Sequence, residues 1–248
     1  MSDTPNMGEG TSSIFAGHGG TETNSINYGE SPLFFANEIK KRLKVSPDPY
    51  VLMDIGTFKG ELLGNIIELL PEYKFETIGV DINSEALDEN NIVDSKILGD
   101  ARNLPLEDRS VDIVVVRYVL QWNTMESQKD ILQEIARVIR KFAIIECVGP
   151  DNLNAILWRE HSDELLSGKK VEKMKRGDNY FASEQEIQDW LDKLGIKFEK
   201  LRSRNVPGLS NVYIERYLLD EVEAKMTREI LSGTDYLNQS DWLILPNN

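Results

Sequence analysis

The sequence predicts an α/β protein in which a doubly wound, mostly parallel sheet of seven strands carries helices on both faces. Short apolar runs alternate along the chain with segments whose hydrophobic residues recur at helical spacing. The run at 111–120 is dominated by Val and Ile, which is typical of a central strand covered on both sides. A turn with two glycines joins the first run to a helical segment, as in the opening unit of such sheets.

The chain begins with a segment that has little to bury. Residues 1–25 are rich in Gly, Ser, Thr and Asn, and we expect a flexible tail there. A helix follows in ESPLFFANEIKKRLKV, where Pro32 suits the first turn and hydrophobic residues recur every three or four positions. This helix is expected to form an N-terminal cover of a single domain at 26–248, because no linker or repeat divides that range.

The remaining elements alternate between strand and helix. Five strands are predicted in YVLMDIG, FETIGVDI, SKILGDA, VDIVVVRYVL and FAIIECVG, with helices such as ELLGNIIELL and QKDILQEIARVI among them. Another helix is expected after Ser183, which has Glu186 at capping-box spacing, and a sixth strand follows it. The seventh strand is predicted in NVYIERYLL at 211–219, pairing antiparallel at the edge of the sheet.

The composition argues against several classes of partner. A net charge of −14 opposes binding to nucleic acid or to anionic membranes, because both require a basic surface. No apolar run approaches the roughly 20 residues that span a bilayer, and a signal-peptide pattern is lacking. The single cysteine, Cys147, favours a reducing compartment, so a cytoplasmic location is expected. No Cys, His and acidic residues stand at ligand spacing, so no metal is predicted.

The turn after the first strand reads DIGTFKGELL and suits a ligand without phosphate. Gly56 and Gly60 allow the backbone to approach a ligand and to point amides at it. The dinucleotide fingerprint would require glycines where Phe58 and Glu61 stand, and the phosphate-loop pattern is absent. Asp54 places a carboxylate just before the turn, which favours a ligand that carries positive charge.

Three of the four positions of a D-x-G-x-G-x-G turn are matched, by Asp54, Gly56 and Gly60, and Phe58 replaces the remaining glycine. Downstream, TIGVDINSEAL ends a strand at Asp81, and LGDARNLPLEDRSVDIVVVRYVLQW follows. Together these motifs resemble the class I, Rossmann-like S-adenosylmethionine-dependent methyltransferases, especially their small-molecule, type 11-like branch. The resemblance covers about residues 48–200 but lacks the usual Pro-Gly-Gly turn before the fifth strand.

The resemblance implies S-adenosylmethionine as the cofactor and S-adenosylhomocysteine as the product. By this resemblance, Asp81 would bind the ribose hydroxyls and Asp100 the adenine amino group. Ala101 would offer its amide to the adenine ring, and Ile82 would lie against the ring's face. The predicted cofactor site comprises Asp54, Gly56, Thr57, Phe58, Gly60, Asp81, Ile82, Asp100, Ala101 and Arg117. Phe58 is expected to adopt an ordinary backbone dihedral, because a bulky residue at positive φ is strained.

The implied reaction is methyl transfer to an O or N nucleophile of a small molecule, with a peptide as a second acceptor class. The [DN]-P-P-[YF] stretch of DNA amino-methyltransferases is absent, and Cys147 lies in a predicted buried strand, so nucleic-acid bases are not expected. A substrate lid is expected at 150–182. The predicted acceptor residues are Tyr28, Phe34, Tyr118, Gln121, Trp122 and Trp158. His161 and Tyr118 are the candidates for catalysis, since a base is needed only where the acceptor loses a proton.

Two other functions are compatible with the same motifs. A non-catalytic module would bind S-adenosylmethionine or S-adenosylhomocysteine and regulate a partner. An enzyme of different chemistry, such as decarboxylation or aminopropyl transfer, would use the same donor on the same fold. Donor binding without turnover would favour the module, and no donor binding would exclude all of these functions.

Overall fold

The computed structural model describes residues 30–149, 180–205 and 238–246. Several predictions lie outside these ranges: the tail at 1–25, Tyr28, most of the lid with Trp158 and His161, and the strand at 211–219.

The described ranges contain seven strands, five α-helices and one short 3-10 helix. The strands are β1 (Tyr50–Ile55), β2 (Phe75–Asp81), β3 (Ser95–Leu98), β4 (Val111–Arg117), β5 (Ile139–Val148), β6 (Lys197–Asn205) and β7 (Asn238–Leu245). The α-helices are α1 (Glu30–Arg42), α2 (Glu61–Leu69), α3 (Ser84–Glu89), α4 (Met125–Val138) and α5 (Glu184–Lys193), and the 3-10 helix is Leu120–Trp122.

The strands form one sheet in the order β3-β2-β1-β4-β5-β7-β6. Strands β1 to β5 pair in parallel, whereas β7 is antiparallel to both β5 and β6. The predicted α/β class with a seven-stranded, mostly parallel sheet is thereby confirmed. Strand β7 comes from a segment that the sequence analysis did not assign, and it lies inside the sheet with a partner on each side.

Each face of the sheet has its own hydrophobic core. Side chains of β4 alternate between the two cores: Val114 and Val116 point into one, and Ile113 and Val115 into the other. All four are fully buried. This explains why the β4 sequence is almost continuously apolar, since helices cover both of its faces. The first core includes residues of α4 and α5, and the second includes residues of α1 and α2.

The ends of the helices follow from local hydrogen bonds. At α5, Ser183 and Glu186 form the predicted capping box, in which each side chain accepts a hydrogen bond from the other residue's backbone N–H. At α3 the cap is Asn83, whose side chain accepts from Ala86 N–H at 3.1 Å, and Ser84 is the first helical residue. Helix α4 passes directly into β5, which explains why no Pro-Gly-Gly turn separates them.

Among the helices of the described ranges, none combines the length and hydrophobicity that crossing a bilayer requires. The same ranges hold no group of three or more His, Cys, Asp or Glu side chains placed to bind a metal ion. Cys147 is buried in β5, as predicted, and burial raises the pKa of its thiol well above the ordinary value.

Candidate cofactor and acceptor site

Parallel strands end at the same edge of a sheet, and the predicted cofactor residues lie at that edge. Asp54 is the next-to-last residue of β1, and Asp81 is the last residue of β2. In the turn that follows β1, the N–H groups of Gly56 and Thr57 both donate to the carbonyl of Val80, at 2.8 and 3.1 Å. The turn is therefore fixed against the end of β2, close to Asp81.

Both the backbone conformation at position 56 and the nearby side chain of Val119 require glycine there. Its φ is +74°, a left-handed conformation that L side chains rarely adopt. A Cβ atom added there would also lie 2.4 Å from Cγ2 of Val119, in the segment that follows β4. The cofactor turn thus packs directly against the exit of β4, where the acceptor residues were predicted.

Phe58 adopts a φ of +48°, so the expectation of an ordinary dihedral is wrong. The physical reason lies in the hydrogen bonds of the turn. The N–H of Phe58 donates to Oδ2 of Asp81 at 2.8 Å and its carbonyl accepts from Nδ2 of Asn90 at 3.3 Å, so long-range hydrogen bonds hold the peptide groups on both sides of this residue. Holding a non-glycine residue in this region costs on the order of 1–2 kcal/mol. Gly60, with φ of +85°, is the N-cap of helix α2.

Asp81 is oriented by backbone amides on both of its oxygens. Oδ2 accepts from Phe58 N–H at 2.8 Å, and Oδ1 accepts from Asn83 N–H at 2.9 Å. A carboxylate oxygen can accept two hydrogen bonds, so each oxygen can accept one more. This geometry suits the two adjacent hydroxyl groups of a ribose, which is the role predicted for Asp81.

The residues beyond Asp81 present an apolar side chain and a paired acid. Ile82 is hydrophobic and 50% exposed, so its side chain is accessible to a ligand. Asp100 follows β3 with the buried Ala101, and Arg102 donates from Nε to both carboxylate oxygens of Asp100 at 2.9 Å. Hydrogen bonding to Arg102 lowers the pKa of Asp100. Any adenine amino group bound by Asp100 would therefore share this carboxylate with Arg102.

Asp54 is 2% exposed, and burial raises the pKa of its carboxyl to about 7. The positive charge of Arg117 and a hydrogen bond from Thr57 oppose this rise, whereas the negative charge of Asp81 adds to it. The carboxyl is therefore poised near neutral pH. A cation that binds beside it would favour its ionised form.

The exit of β4 contains a second strained residue. Tyr118 has a φ of +58°, and its N–H donates to the carbonyl of Glu146 at 3.1 Å. The guanidinium of Arg117 lies 5.8 Å from the centre of the Tyr118 ring. Non-glycine residues in this conformation cluster at functional sites, so the strain supports the prediction that the β4 exit contributes to a site.

Two of the predicted acceptor residues, Gln121 and Trp122, lie in the 3-10 helix after Tyr118. Gln121 is 5% exposed, and within the described part of the chain no donor forms a hydrogen bond with its Oε1. Trp122 is half-buried. Phe34 packs elsewhere: its ring centre lies 3.5 Å from the Arg202 guanidinium of β6, the strand at the far edge of the sheet. The structure thus brings Tyr118, Gln121 and Trp122 together, with Phe34 toward the β6 edge.

Two residues that the sequence analysis did not assign contact the predicted site. Arg102 pairs with Asp100, as described above. Asn90, at the end of α3, donates from Nδ2 to the carbonyl of Phe58 at 3.3 Å. The sequence offered one signal for such a contact, because Phe58 replaces a glycine and a bulky residue in a left-handed turn requires support from elsewhere.

Comparison with known sequences agrees with the motifs. Residues 54–145 match the family described as the methyltransferase domain. An uncharacterized methyltransferase of Schizosaccharomyces pombe is 31% identical over 119 residues, which cover 46% of this chain and 45% of that protein. The alignment therefore spans less than half the length of this curated relative.

Solved structures share the fold. The YcgJ protein of Bacillus subtilis has a TM-score of 0.63 at 16% identity, covering 89% of this chain and 99% of that one. Phosphoethanolamine N-methyltransferase 2 of Haemonchus contortus, solved with phosphomonomethylethanolamine and S-adenosylhomocysteine, has a TM-score of 0.54 at 17% identity, covering 86% and 52%. Residues 54–145 thus match the methyltransferase-domain family that the motifs predict, and the chain shares the fold of these solved structures.

Proposed function

We propose that this protein transfers the methyl group of S-adenosylmethionine to an O or N nucleophile of a small molecule or peptide. The observation that carries the proposal is Asp81, a carboxylate at the tip of β2 that two backbone amides orient beside a glycine turn. The methyltransferase domain at 54–145 supports the same chemistry.

The charges and hydrogen-bonding groups of the described residues support this cofactor. Its sulfonium and ammonium groups are cationic, and Asp54 supplies a buried carboxylate whose pKa of about 7 allows it to ionise beside them. Ile82 offers an exposed apolar side chain to the adenine ring, and Asp81 two acceptor oxygens to the ribose. Thr57, Gly60, Asp100, Ala101 and Arg117 complete the proposed cofactor site.

When bound, S-adenosylmethionine supplies a methyl group already activated by its sulfonium sulfur. The protein then has to align the acceptor with that methyl group and exclude water from it. We assign this task to Tyr118, Gln121 and Trp122 at the β4 exit. Tyr28, Trp158 and the candidate bases His161 and Tyr118 stay predictions from the sequence.

The acidic composition and the single buried cysteine support two further parts of the proposal. A net charge of −14 favours a small or basic acceptor over nucleic acid or a membrane surface. Burial of Cys147 makes it a poor nucleophile, which disfavours the mechanism of cytosine C5 methylation. We place the protein in the cytoplasm, since one cysteine allows no internal disulfide.

The decisive experiment is calorimetric titration with S-adenosylhomocysteine. Wild-type protein is expected to bind, and Asp81→Ala should weaken binding about tenfold to a hundredfold, or about 1.5–3 kcal/mol, because charge-assisted hydrogen bonds to ribose are lost. Asp88→Ala removes an exposed carboxylate of α3 and serves as the matched control. An absence of binding by the wild type, or equal affinity of Asp81→Ala and the wild type, would overturn the proposal.

Binding alone does not distinguish an enzyme from a regulatory module. Turnover is measured as S-adenosylhomocysteine formed from S-adenosylmethionine over a panel of small amines, alcohols, carboxylic acids and peptides. Acceptor-dependent product supports methyl transfer. Tight donor binding with no product across the panel would favour the regulatory module instead.

A further inference from the structure

Asn90 is fully buried where α3 ends, and its side chain bonds to two separate parts of the chain. Its Oδ1 accepts from the N–H of Ile92 at 3.0 Å and of Val93 at 3.4 Å. Its Nδ2 donates to the carbonyl of Phe58 at 3.3 Å and lies 3.5 Å from Oγ1 of Thr57. The amide therefore joins the segment after α3 to the β1 turn.

These contacts explain how Phe58 keeps its strained conformation. Its N–H donates to Asp81 at 2.8 Å, and its carbonyl accepts from Asn90 at 3.3 Å. Each peptide group that flanks Phe58 thus has a fixed partner. Without the second partner, Phe58 would be expected to relax toward a negative φ and to draw its N–H away from Asp81.

Gly60 provides the space that Asn90 occupies. A Cβ atom at Gly60 would lie 2.5 Å from Oδ1 of Asn90 and 2.9 Å from its Nδ2. The Thr57 hydroxyl that Asn90 approaches also hydrogen-bonds to Asp54. Asn90 therefore contacts the turn directly, and it is linked to Asp81 through Phe58 and to Asp54 through Thr57.

We infer that Asn90 is a positioning residue for the cofactor: it holds Phe58 in the left-handed conformation, so that the turn and Asp81 are arranged before the donor binds. The inference rests on the proposed cofactor site and extends it to a residue that supports the turn from the segment after α3. It also explains how this chain accommodates phenylalanine where the related turns have glycine. Preorganisation of this kind increases affinity, because the turn need not be ordered on binding.

Affinity for S-adenosylhomocysteine, measured by calorimetry on the full chain, tests this role. Asn90→Ala is expected to raise the dissociation constant about threefold to tenfold, less than Asp81→Ala, because Asp81 is displaced rather than removed. The matched control is Asn91→Ala, which truncates the exposed neighbour, whose Nδ2 bonds only locally to the carbonyl of Glu89. Its dissociation constant should remain within about twofold of the wild-type value.

Rescue separates positioning from a general effect on folding. Glycine adopts positive φ without support, so Phe58→Gly should restore the affinity of Asn90→Ala to within about twofold of that of Phe58→Gly alone. The melting temperature need not recover, because the bonds to Ile92 and Val93 stay lost. Wild-type affinity of Asn90→Ala, or no rescue by Phe58→Gly, would overturn the inference.

A second variant covers the case in which Asn90→Ala does not fold, and separate outcomes distinguish failure of the inference from failure of the proposed function. If Asn90→Ala does not fold, Asn90→Ser retains an oxygen for the Ile92 amide while it removes the Nδ2 donor, and the same loss and rescue are expected of it. The proposed function fails if the wild-type protein does not bind S-adenosylhomocysteine. The inference about Asn90 fails if the wild type binds and the variants bind equally well.

Discussion

On the side proposed to bind the methyl donor, Asp81 and Asn90 form hydrogen bonds with backbone groups of the β1 turn. Each of these side chains also accepts a hydrogen bond from the segment that follows its own strand or helix. On the acceptor side, Gln121 is buried as Asn90 is, yet its Oε1 meets no hydrogen-bond donor in the described ranges. A buried oxygen without a donor is costly for the protein alone. The difference is consistent with a cofactor side that is arranged before binding, and it favours the hypothesis that an acceptor supplies a hydrogen bond to Gln121.

The largest expected effect comes from breaking the contact between the two sides. Gly56→Ala combines a strained φ with a Cβ 2.4 Å from Val119, so we expect it to lower the free energy of unfolding by about 2–4 kcal/mol. Gly195→Ala is the matched control, because Gly195 has a φ of +66° but no atom within 4 Å of the added Cβ. It should cost only about 1 kcal/mol.

Urea denaturation of both variants measures this difference. Val119→Ala in the Gly56→Ala background removes the methyl group that clashes and should recover part of the loss. Equal losses for Gly56→Ala and Gly195→Ala would show that the contact with Val119 contributes nothing.

The stability of the folded protein is expected to depend on pH through Asp54, on the side proposed to bind the methyl donor. Its pKa is about 7 in the folded protein and near 3.8 in the unfolded chain, so the folded state retains a proton that the unfolded state releases between these values. Stability from this group is therefore present at acidic pH and is lost as pH rises toward 7. Asp54→Asn should be about 1–3 kcal/mol more stable than wild type at pH 8, and similar to it near pH 4.

Unfolding of the ligand-free protein across this pH range provides the measurement. Asp88→Asn, which changes an exposed carboxylate, should follow the wild-type profile. Asp54→Asn should also bind S-adenosylmethionine more weakly, since the carboxylate that faces the cationic donor is gone. Parallel profiles for Asp54→Asn and wild type would contradict the elevated pKa.

The smallest expected effect on stability lies on the acceptor side. Gln121→Leu replaces a buried amide, whose oxygen has no hydrogen-bond donor among the described residues, with an apolar side chain, so stability should change by less than about 1 kcal/mol, in either direction. Affinity for S-adenosylhomocysteine should stay within about twofold of the wild-type value. The KM for an acceptor should rise, if the oxygen accepts a hydrogen bond from it.

For this variant, the informative comparison is between the affinity for S-adenosylhomocysteine and the KM for an acceptor. A large loss of donor affinity in Gln121→Leu would show that Gln121 belongs to the donor side and that the comparison is drawn incorrectly. Trp122→Leu, at the adjacent and half-buried position, is a useful companion because it tests the same 3-10 helix without removing a buried amide.

The strands around the donor site could be predicted because their signals are local. Continuous apolar runs, the glycines of the turn and an acid at the tip of β2 all stand within about 30 residues of each other. From their spacing, Asp54, Gly56, Gly60 and Asp81 could be placed at the ends of β1 and β2 and in the turn between β1 and α2. The capping box at Ser183 was predictable for the same reason, since both partners lie within one helical turn.

The conformation of Phe58 could not be predicted from neighbouring residues. Its two hydrogen-bond partners, Asp81 and Asn90, are 23 and 32 positions away along the chain. The same holds for β7, whose NQSDWLIL segment contains the buried Ser240 and Asp241 and lacks the pattern of an internal strand. Asp241 is buried there with the help of Arg202 on β6, a long-range ion pair that no local pattern reveals.

The packing of Gly56 against Val119 has a consequence for engineering this protein. Residue 119 stands beside the side chains that we assign to the acceptor, so a library aimed at new acceptors would naturally include it. Larger residues there would push on the turn that holds the donor. Selection for a new acceptor at this position is therefore also selection on donor affinity, and the two have to be varied and measured together.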